Sequence, residues 1–470
     1  MGSTYDFVVI GGGSAGFNAA RVAASLGRRV AVIDGARKLG GLCILRGCMP
    51  SKTLIYTAEV LHLAKNAGKF GLRVKGASAN MRSLHARKSR IISEFAGHRA
   101  KQLRSGDFDL IRSNARFADS HTVILDDGRR IKAAQFLIST GSRVSVPGVP
   151  GLSESRFWTS DDVLDLDFKP RSVIVLGGGI VACELAQFLR RLGTKVCVIQ
   201  RNRALMRHLP TAAAKVARQA FEDEGIEVRT RTKILGIRSG PRGTTVTFAQ
   251  DGKILRRKAE HLLNALGREP NTFGLSLREA GVECEESGRI ITNRWQQTST
   301  PNIYAAGDCC GPHEIVHIAV QQGELAARHA AKAKGLKPIE DSMLLIVVFT
   351  DPQLAIIGWQ ERDLKRKGIK YLIAKYPFND HGKAILMNAT YGYVKILAEP
   401  RSGRILGAEI VGKDAGELIH CFSAPLAMRA TVHDMLRAPW YHPTLSEIIT
   451  YPLEELAADA SRATGPRALG

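Results

Sequence analysis

Asp6-Phe7-Val8-Val9-Ile10-Gly11-Gly12-Gly13-Ser14-Ala15-Gly16 opens the chain as an apolar run that breaks into a glycine turn. The residues to Ile10 read as a strand, a helix is predicted from the turn to Leu26, and a second strand over Arg29–Asp34. The same plan returns further on: strand Ser172–Leu176, turn Gly177-Gly178-Gly179-Ile180-Val181-Ala182, helix to Leu192, strand Lys195–Ile199. Gly11 and Gly177, Leu26 and Leu192, Gly27 and Gly193, Asp34 and Gln200 are each separated by 166 positions. One such loop is a weak signal. Two in register, each between a strand and a helix, point to two dinucleotide-binding βαβ units.

The residue types follow from what such a turn must do. The first glycine, Gly11 or Gly177, permits the tight turn, and the second, Gly13 or Gly179, lets the backbone approach a pyrophosphate. The third position, Gly16 or Ala182, must be small so that helix and strand can pack. Ser14 and Ala15, or Ile180, then lie at the helix N-terminus, where unpaired N–H groups and the helix dipole receive the phosphates.

Each unit closes on an apolar strand that runs into a glycine: Phe136-Leu137-Ile138-Ser139-Thr140-Gly141 and His261-Leu262-Leu263-Asn264-Ala265-Leu266-Gly267. An arginine (Arg143, Arg268) and a proline (Pro147, Pro270) follow each glycine and read as exits into linkers. The predicted division is residues 1–150, 151–271, a segment 272–345 that returns to the first unit, and 346–470. Within 272–345, Ile303-Tyr304-Ala305-Ala306-Gly307-Asp308 supplies a strand ending in an acid, with a helix over Ile315–Lys334. Alternation in Leu344–Phe349, Tyr393–Leu397 and Ile405–Val411 predicts a last sheet with helices on it, and the tail Ser461–Gly470 is expected to be disordered.

Composition narrows the function class. No run of about 18 uncharged apolar residues occurs, so no membrane insertion is expected, and the N-terminus lacks the pattern of a secretory signal. A cytoplasmic location is therefore predicted. There glutathione and thioredoxin keep structural disulfides rare, so eight cysteines in 470 residues are no stapling framework, and a close pair points to catalysis or metal binding. The formal charge of +23 could serve polyanions, but its clusters (Arg28–Arg29, Arg190–Arg191, Lys365–Lys367) are dispersed and carry no interleaved aromatics. It is read as a solvated basic surface, and no nucleic-acid partner is expected.

The close pair stands in Gly40-Gly41-Leu42-Cys43-Ile44-Leu45-Arg46-Gly47-Cys48-Met49-Pro50-Ser51-Lys52. A regular helix rises about 1.5 Å per residue, which would set these cysteines roughly 7.5 Å apart along its axis. A disulfide needs Cα atoms about 4.4–6.8 Å apart. A bonded pair therefore requires an irregular turn, which Gly47 and Pro50 would allow. Two buried thiols remain an alternative. Half of a zinc site is another, although no nearby Cys or His supplies the two further ligands and no metal is expected.

With this stretch the chain resembles the pyridine nucleotide-disulfide oxidoreductases, the group of dihydrolipoyl dehydrogenase, glutathione reductase and mercuric reductase, over residues 5–455. The resemblance implies an α/β fold with two Rossmann-like dinucleotide-binding domains, for FAD and NAD(P), and a C-terminal α+β dimerisation domain. It implies that Cys48 is the thiolate against the flavin, Cys43 the thiol that exchanges with a disulfide substrate, and Lys52 and Glu184 a pair beside the flavin ring. Asp308 would meet the FAD ribityl chain and Asp34 the adenosine ribose, with Gly41, Thr140 and Gly141 lining the FAD site and Gly267 the NAD(P) site. His442-Pro443-Thr444-Leu445-Ser446-Glu447 resembles the family's acid–base pair, in which Glu447 orients His442. Alone, His442 would read as a structural histidine; beside a thiol pair, an imidazole is the natural proton carrier. In the family this histidine crosses from a second subunit, which implies a homodimer with composite active sites.

At position 200 a carboxylate would hold the 2′-hydroxyl of NAD and repel a 2′-phosphate; the residue is Gln200, followed by Arg201 and Arg207, with Arg203 near. This resembles the NADPH-using members, so NADP(H) is expected over NAD(H). Ile180, where glutathione reductase has a tyrosine, is like dihydrolipoyl dehydrogenase, and with no cysteine after Cys421 mercury reduction is not expected. The expectation is thus an NAD(P)H:disulfide oxidoreductase of the dihydrolipoyl dehydrogenase type. The alternatives are an NAD-linked dihydrolipoyl dehydrogenase of a 2-oxo acid dehydrogenase complex, a glutathione or mercuric reductase-like NADPH enzyme, or a polyanion binder that keeps the fold as scaffold. Cys309 and Cys310 could form a second relay, but read first as small buried residues.

Overall fold

Val8, Val9 and Ile10 are almost wholly buried, as a strand covered on both faces must be. The computed structural model describes residues 4–464. The strand is Thr4–Ile10, and it sits at the centre of a seven-stranded sheet. Val30–Ile33 pairs parallel on one side, with Val9 against Val32, and Arg130–Ile138 on the other, with Val9 against Leu137. Asp109–Ile111 extends the sheet beyond Val30–Ile33, and two antiparallel strands, Thr122–Leu125 and Ala115–Asp119, extend it past the start of Arg130–Ile138. Ile303–Ala305 pairs parallel with Phe136–Ile138, so a segment more than 160 residues downstream completes the first sheet.

The second sheet has four parallel strands in the order Glu227–Arg229, Lys195–Ile199, Ser172–Leu176, His261–Asn264. Gly11 (φ 102°) and Gly177 (φ 106°) turn the chain alike at the ends of the two opening strands. A Cβ at Gly11 would lie 2.5 Å from Ser139 O, and one at Gly177 2.3 Å from Ala265 O. Each turn is pressed against the backbone of its own closing strand, and only glycine fits there.

Three features had no sequence signal or went differently. An antiparallel three-stranded sheet, Thr232–Gly240, Gly243–Gln250 and Lys253–Ala259, is inserted into the second unit. The two exits from the units, Ser142–Val144 and Arg268–Pro270, pair with each other as a two-stranded ribbon. The helix predicted over Ile315–Lys334 is Val316–Ala330; Lys332 turns to φ 57° just beyond it.

The last sheet is antiparallel throughout: Leu345–Val348, Gln353–Gly358, Ile405–Gly412, Tyr393–Ala398, Leu372–Pro377. The Thr450–Thr464 helix packs against it with Leu453 and Leu456 fully buried. The tail expected to be disordered from Ser461 remains helical to Thr464, as the last turn of the Thr450–Thr464 helix; the rest of that expectation lies outside the described residues. Among the described residues no helix is long and apolar enough to cross a membrane.

Candidate active site

The cysteine segment is two helices rather than one. We label the helices that build it α1 (Ser14–Ser25), α2 (Gly41–Leu45), α3 (Cys48–Lys65) and α4 (Met81–Arg104). Cys43 is in α2 and Cys48 is the first residue of α3. Gly47 makes the break: a Cβ there would stand 3.1 Å from both Cys43 Cα and Leu42 O. Pro50 is the third residue of α3, where a missing N–H disrupts no helical bond. Cys48 thus sits at the positive end of an 18-residue helix, a place that favours thiolate.

Both cysteines are free and half-buried. Cys48 is held down to about 7, first by the hydrogen bond from Cys43 and then by the charge of Lys52, against burial, which pushes it up. Cys43 is pushed well above the ordinary thiol range by that same hydrogen bond, by burial and by repulsion from Cys48. One sulfur is therefore set up to carry the negative charge and the other to keep its proton.

Lys52 lies one helical turn beyond Cys48, and its Nζ donates to Glu184 Oε2 at 2.9 Å. Glu184 comes from the Ile180–Leu192 helix and is buried; its other oxygen accepts the Phe349 N–H at 2.9 Å. The Phe349 ring faces Lys52 Nζ at 4.6 Å. Three remote segments thus fix one ammonium group near one sulfur.

These residues line a single cleft of about 2170 Å³ that runs from the first glycine turn to the second. Gly11, Gly13, Ser14, Ala15, Asp34, Gly41, Thr140, Gly141 and Asp308 line it, as do Cys43, Cys48, Lys52 and Glu184. So do Gly177, Gly179, Ile180, Gln200, Arg201, Arg207 and Gly267. Gly16 lies behind the cleft, where a Cβ would come within 2.0 Å of Gly11 O and 2.9 Å of Val9 Cγ1.

Asp34 Oδ2 accepts the Gly12 N–H at 3.0 Å and its Oδ1 accepts the Ala36 N–H at 2.9 Å, so the carboxylate is anchored to the turn. Gln200 occupies the equivalent place, with its side chain against Gly178, and brings no charge. Arg201 and Arg207 are exposed at that end of the cleft, whereas Arg203 lines a separate hollow with Arg218 and Arg231. Asp308 Oδ2 accepts from Ser142 Oγ at 2.6 Å. The thiols of Cys309 and Cys310 are buried and donate to the carbonyls of Ile138 (3.4 Å) and Gly307 (3.3 Å).

His442 and Glu447 do not line this cleft. Glu447 holds His442 Nδ1 at 2.8 Å, and the imidazole is 76% exposed.

Sequence reasoning missed the groups that hold the site in place. Arg46, between the cysteines, and the buried Lys88 both bind Asp165, which ties the redox segment to a distant turn. Gln187 and Arg191 follow Glu184 on one helix face and grip Asp351, Gln187 through its backbone at 2.7 and 2.8 Å and Arg191 through its carboxylate at 2.6 Å. The signal was their spacing of three and seven from Glu184, which puts all three over one another.

Residues 5–323 match the model of the family "Pyridine nucleotide-disulphide oxidoreductase", and residues 345–452 match that family's dimerisation domain. The chain is 34% identical to a dihydrolipoyl dehydrogenase of Thermus scotoductus, covering 97% of this chain and 98% of the relative. It is 30% identical to a mercuric reductase of Bacillus cereus, covering 97% and 72%. The solved structure of LpdA from Mycobacterium tuberculosis superposes with a TM-score of 0.85 at 27% identity, covering 96% and 99%. That of the flavoprotein disulfide reductase RclA from Escherichia coli, at 24% identity and a TM-score of 0.84, shares the fold. The chain belongs to the pyridine nucleotide-disulphide oxidoreductases, as a flavoprotein disulfide reductase that carries the family's dimerisation domain.

Proposed function

We propose that the protein is an NADPH-preferring disulfide reductase in which electrons reach a disulfide substrate through Cys43 and Cys48. The supporting observation is the polarised thiol pair, with Cys48 at a helix N-terminus beside Lys52, in a cleft that both glycine turns share. The residues present fit FAD. Gly41 (φ 72°) and Gly13 meet so closely that a Cβ on Gly41 would lie 2.7 Å from Gly13 Cα. The N-termini of α1 and α2 therefore converge on one spot, as a pyrophosphate requires. Thr140 Oγ1, buried at the cleft wall, has no hydrogen-bond partner among the described residues. When bound, FAD supplies passage of an electron pair between the nicotinamide and the cysteines.

The chain's own residues do the rest. In the reduced pair Lys52 stabilises the Cys48 thiolate, and Glu184 holds Lys52 in reach. Cys43 passes its proton to His442 and attacks one sulfur of the substrate disulfide; the other leaves and takes that proton back from His442. Cys48 then attacks the Cys43 sulfur, which restores the Cys43–Cys48 bond and releases the second substrate sulfur as a thiolate that takes its proton from water. Glu447 orients His442 throughout, and the exposure of that imidazole suits delivery to the partner in a homodimer with composite sites.

The absence of an acid at Gln200 and the guanidinium groups of Arg201 and Arg207 at the cleft end support NADPH. On this reading residues 1–150 and 272–345 hold FAD, 151–271 hold the nicotinamide dinucleotide, and 346–470 pair the subunits. Free cysteines throughout fit action in the reducing cytoplasm. NAD-linked dihydrolipoyl oxidation is the second reading, favoured by Ile180 at the helix start and by the full-length similarity to dihydrolipoyl dehydrogenase. Steady-state rates with NADPH and NADH decide between them: a large NADPH preference supports our reading, and a large NADH preference that survives Arg201→Ala defeats it.

A further inference from the structure

Each of the two thiols feels the charge of one cation. Lys52 acts on Cys48; Arg99, from α4, acts on Cys43. α4 packs directly on α2, the short helix that carries Cys43. The Arg99 guanidinium stacks 4.1 Å over the Phe17 ring, and its Nε donates to Gln102 Oε1 at 3.2 Å. Its Nη1 is buried and has no hydrogen-bond partner among the described residues. Stacking on Phe17 accounts for the plane of the group but leaves that nitrogen unsatisfied, a net cost unless an acceptor comes from outside the chain. Burial disfavours the charge on Arg99 and Arg21 nearby adds to the repulsion, while an ionised Cys43 would oppose them only in part. No acid of the described chain bonds to it.

We propose that Arg99 is a specificity-determining residue that binds an anionic group, of the carboxylate class, on the disulfide that reacts at Cys43. A planar guanidinium with a free N–H edge matches a carboxylate oxygen, whereas an amide or alkyl group in its place would leave Nη1 stranded. The proposal rests on the reading of Cys43 as the exchanging thiol and goes beyond it by naming the charge of the acceptor.

The test uses the FAD-loaded enzyme reduced with NADPH and two alkylating agents that differ only in the group of interest, iodoacetate and iodoacetamide, with modification at each cysteine followed by peptide mass. The exposed Cys284 is the internal reference. In the wild-type protein the iodoacetate-to-iodoacetamide rate ratio at Cys43 should exceed that at Cys284 by about tenfold or more. Arg99→Gln should erase the excess and Arg99→Lys should keep part of it, with the Cys284 ratio unmoved in both. A Cys43 ratio equal to that of Cys284 in the wild type, or a Cys43 ratio that Arg99→Gln leaves in place, overturns the proposal. Failure of NADPH to expose Cys43 to either reagent would instead sink the reading of Cys43 itself.

Discussion

Lys52 Nζ donates to Glu184 Oε2 at 2.9 Å, and that bond ties the helix that begins at Cys48 to the helix that begins at Ile180. Glu184 is buried and its second oxygen is committed to the Phe349 N–H, so Lys52 cannot swing away without leaving a carboxylate stranded. Removing the lysine should cost roughly 1–3 kcal/mol, below the value for a fully buried pair because Lys52 keeps about a third of its exposure.

The same pair sets a pH dependence with a defined sign. Cys48 is depressed to about 7, so its thiolate is present above that pH and is lost as the pH falls through it. Lys52→Met should move this transition up towards the ordinary thiol value of about 8.5. Glu184→Gln should move it down, because the carboxylate opposes the thiolate. The ultraviolet absorbance of the thiolate in the reduced protein, titrated against pH, checks both directions; equal shifts of one sign would refute the assignment of Lys52.

Coenzyme choice should respond at the end of the cleft where Gln200 and Arg201 stand. Arg201→Ala should lower kcat/KM for NADPH by about tenfold or more, the loss of a charge-assisted phosphate contact, and leave NADH nearly unchanged. Gln200→Asp should turn the preference towards NADH, since a carboxylate there accepts the ribose hydroxyl and repels the phosphate.

Gly41→Ala probes the cradle. The added methyl would fall 2.7 Å from Gly13 Cα, at a residue with φ 72°. A strained backbone and an overpacked contact together should cost about 2–4 kcal/mol, and the purified variant should retain less FAD than the wild type. Flavin absorbance per protein and thermal unfolding give the two readouts; full flavin content would mean that α2 plays no part in the cradle.

His442→Ala and Cys43→Ser subunits, each inactive alone, should recover activity when dissociated and reassembled together. Where one chain supplies the imidazole and the other the thiols, a mixed dimer has one intact site, so statistical mixing should return about a quarter of wild-type activity. No recovery would place the histidine with the cysteines of its own chain.

Much of this was legible because dinucleotide binding writes its constraints into short, local sequence. Gly177 repeats Gly11 since both turns press on the backbone of a closing strand, and Gly47 marks the helix break where Cys43 Cα and Leu42 O leave a side chain short of room. What was not legible depends on distance. Nothing in the sequence links Ser142–Val144 to Arg268–Pro270, although they form one ribbon. Phe349 contributes a backbone N–H and a ring face from a remote segment, which no motif records, and Arg99 is one basic residue among several on its helix, set apart only by its neighbours. His442 is the reverse case. Its motif was visible, but its exposure acquires meaning only beside another subunit.

The most direct measurement is anaerobic counting of alkylated thiols, by peptide mass, before and after one equivalent of NADPH is added to the oxidised FAD-loaded protein. The account predicts that Cys43 and Cys48 are protected before the addition and both labelled after it, with the other six cysteines unchanged. Identical labelling of Cys43 and Cys48 before and after would contradict it.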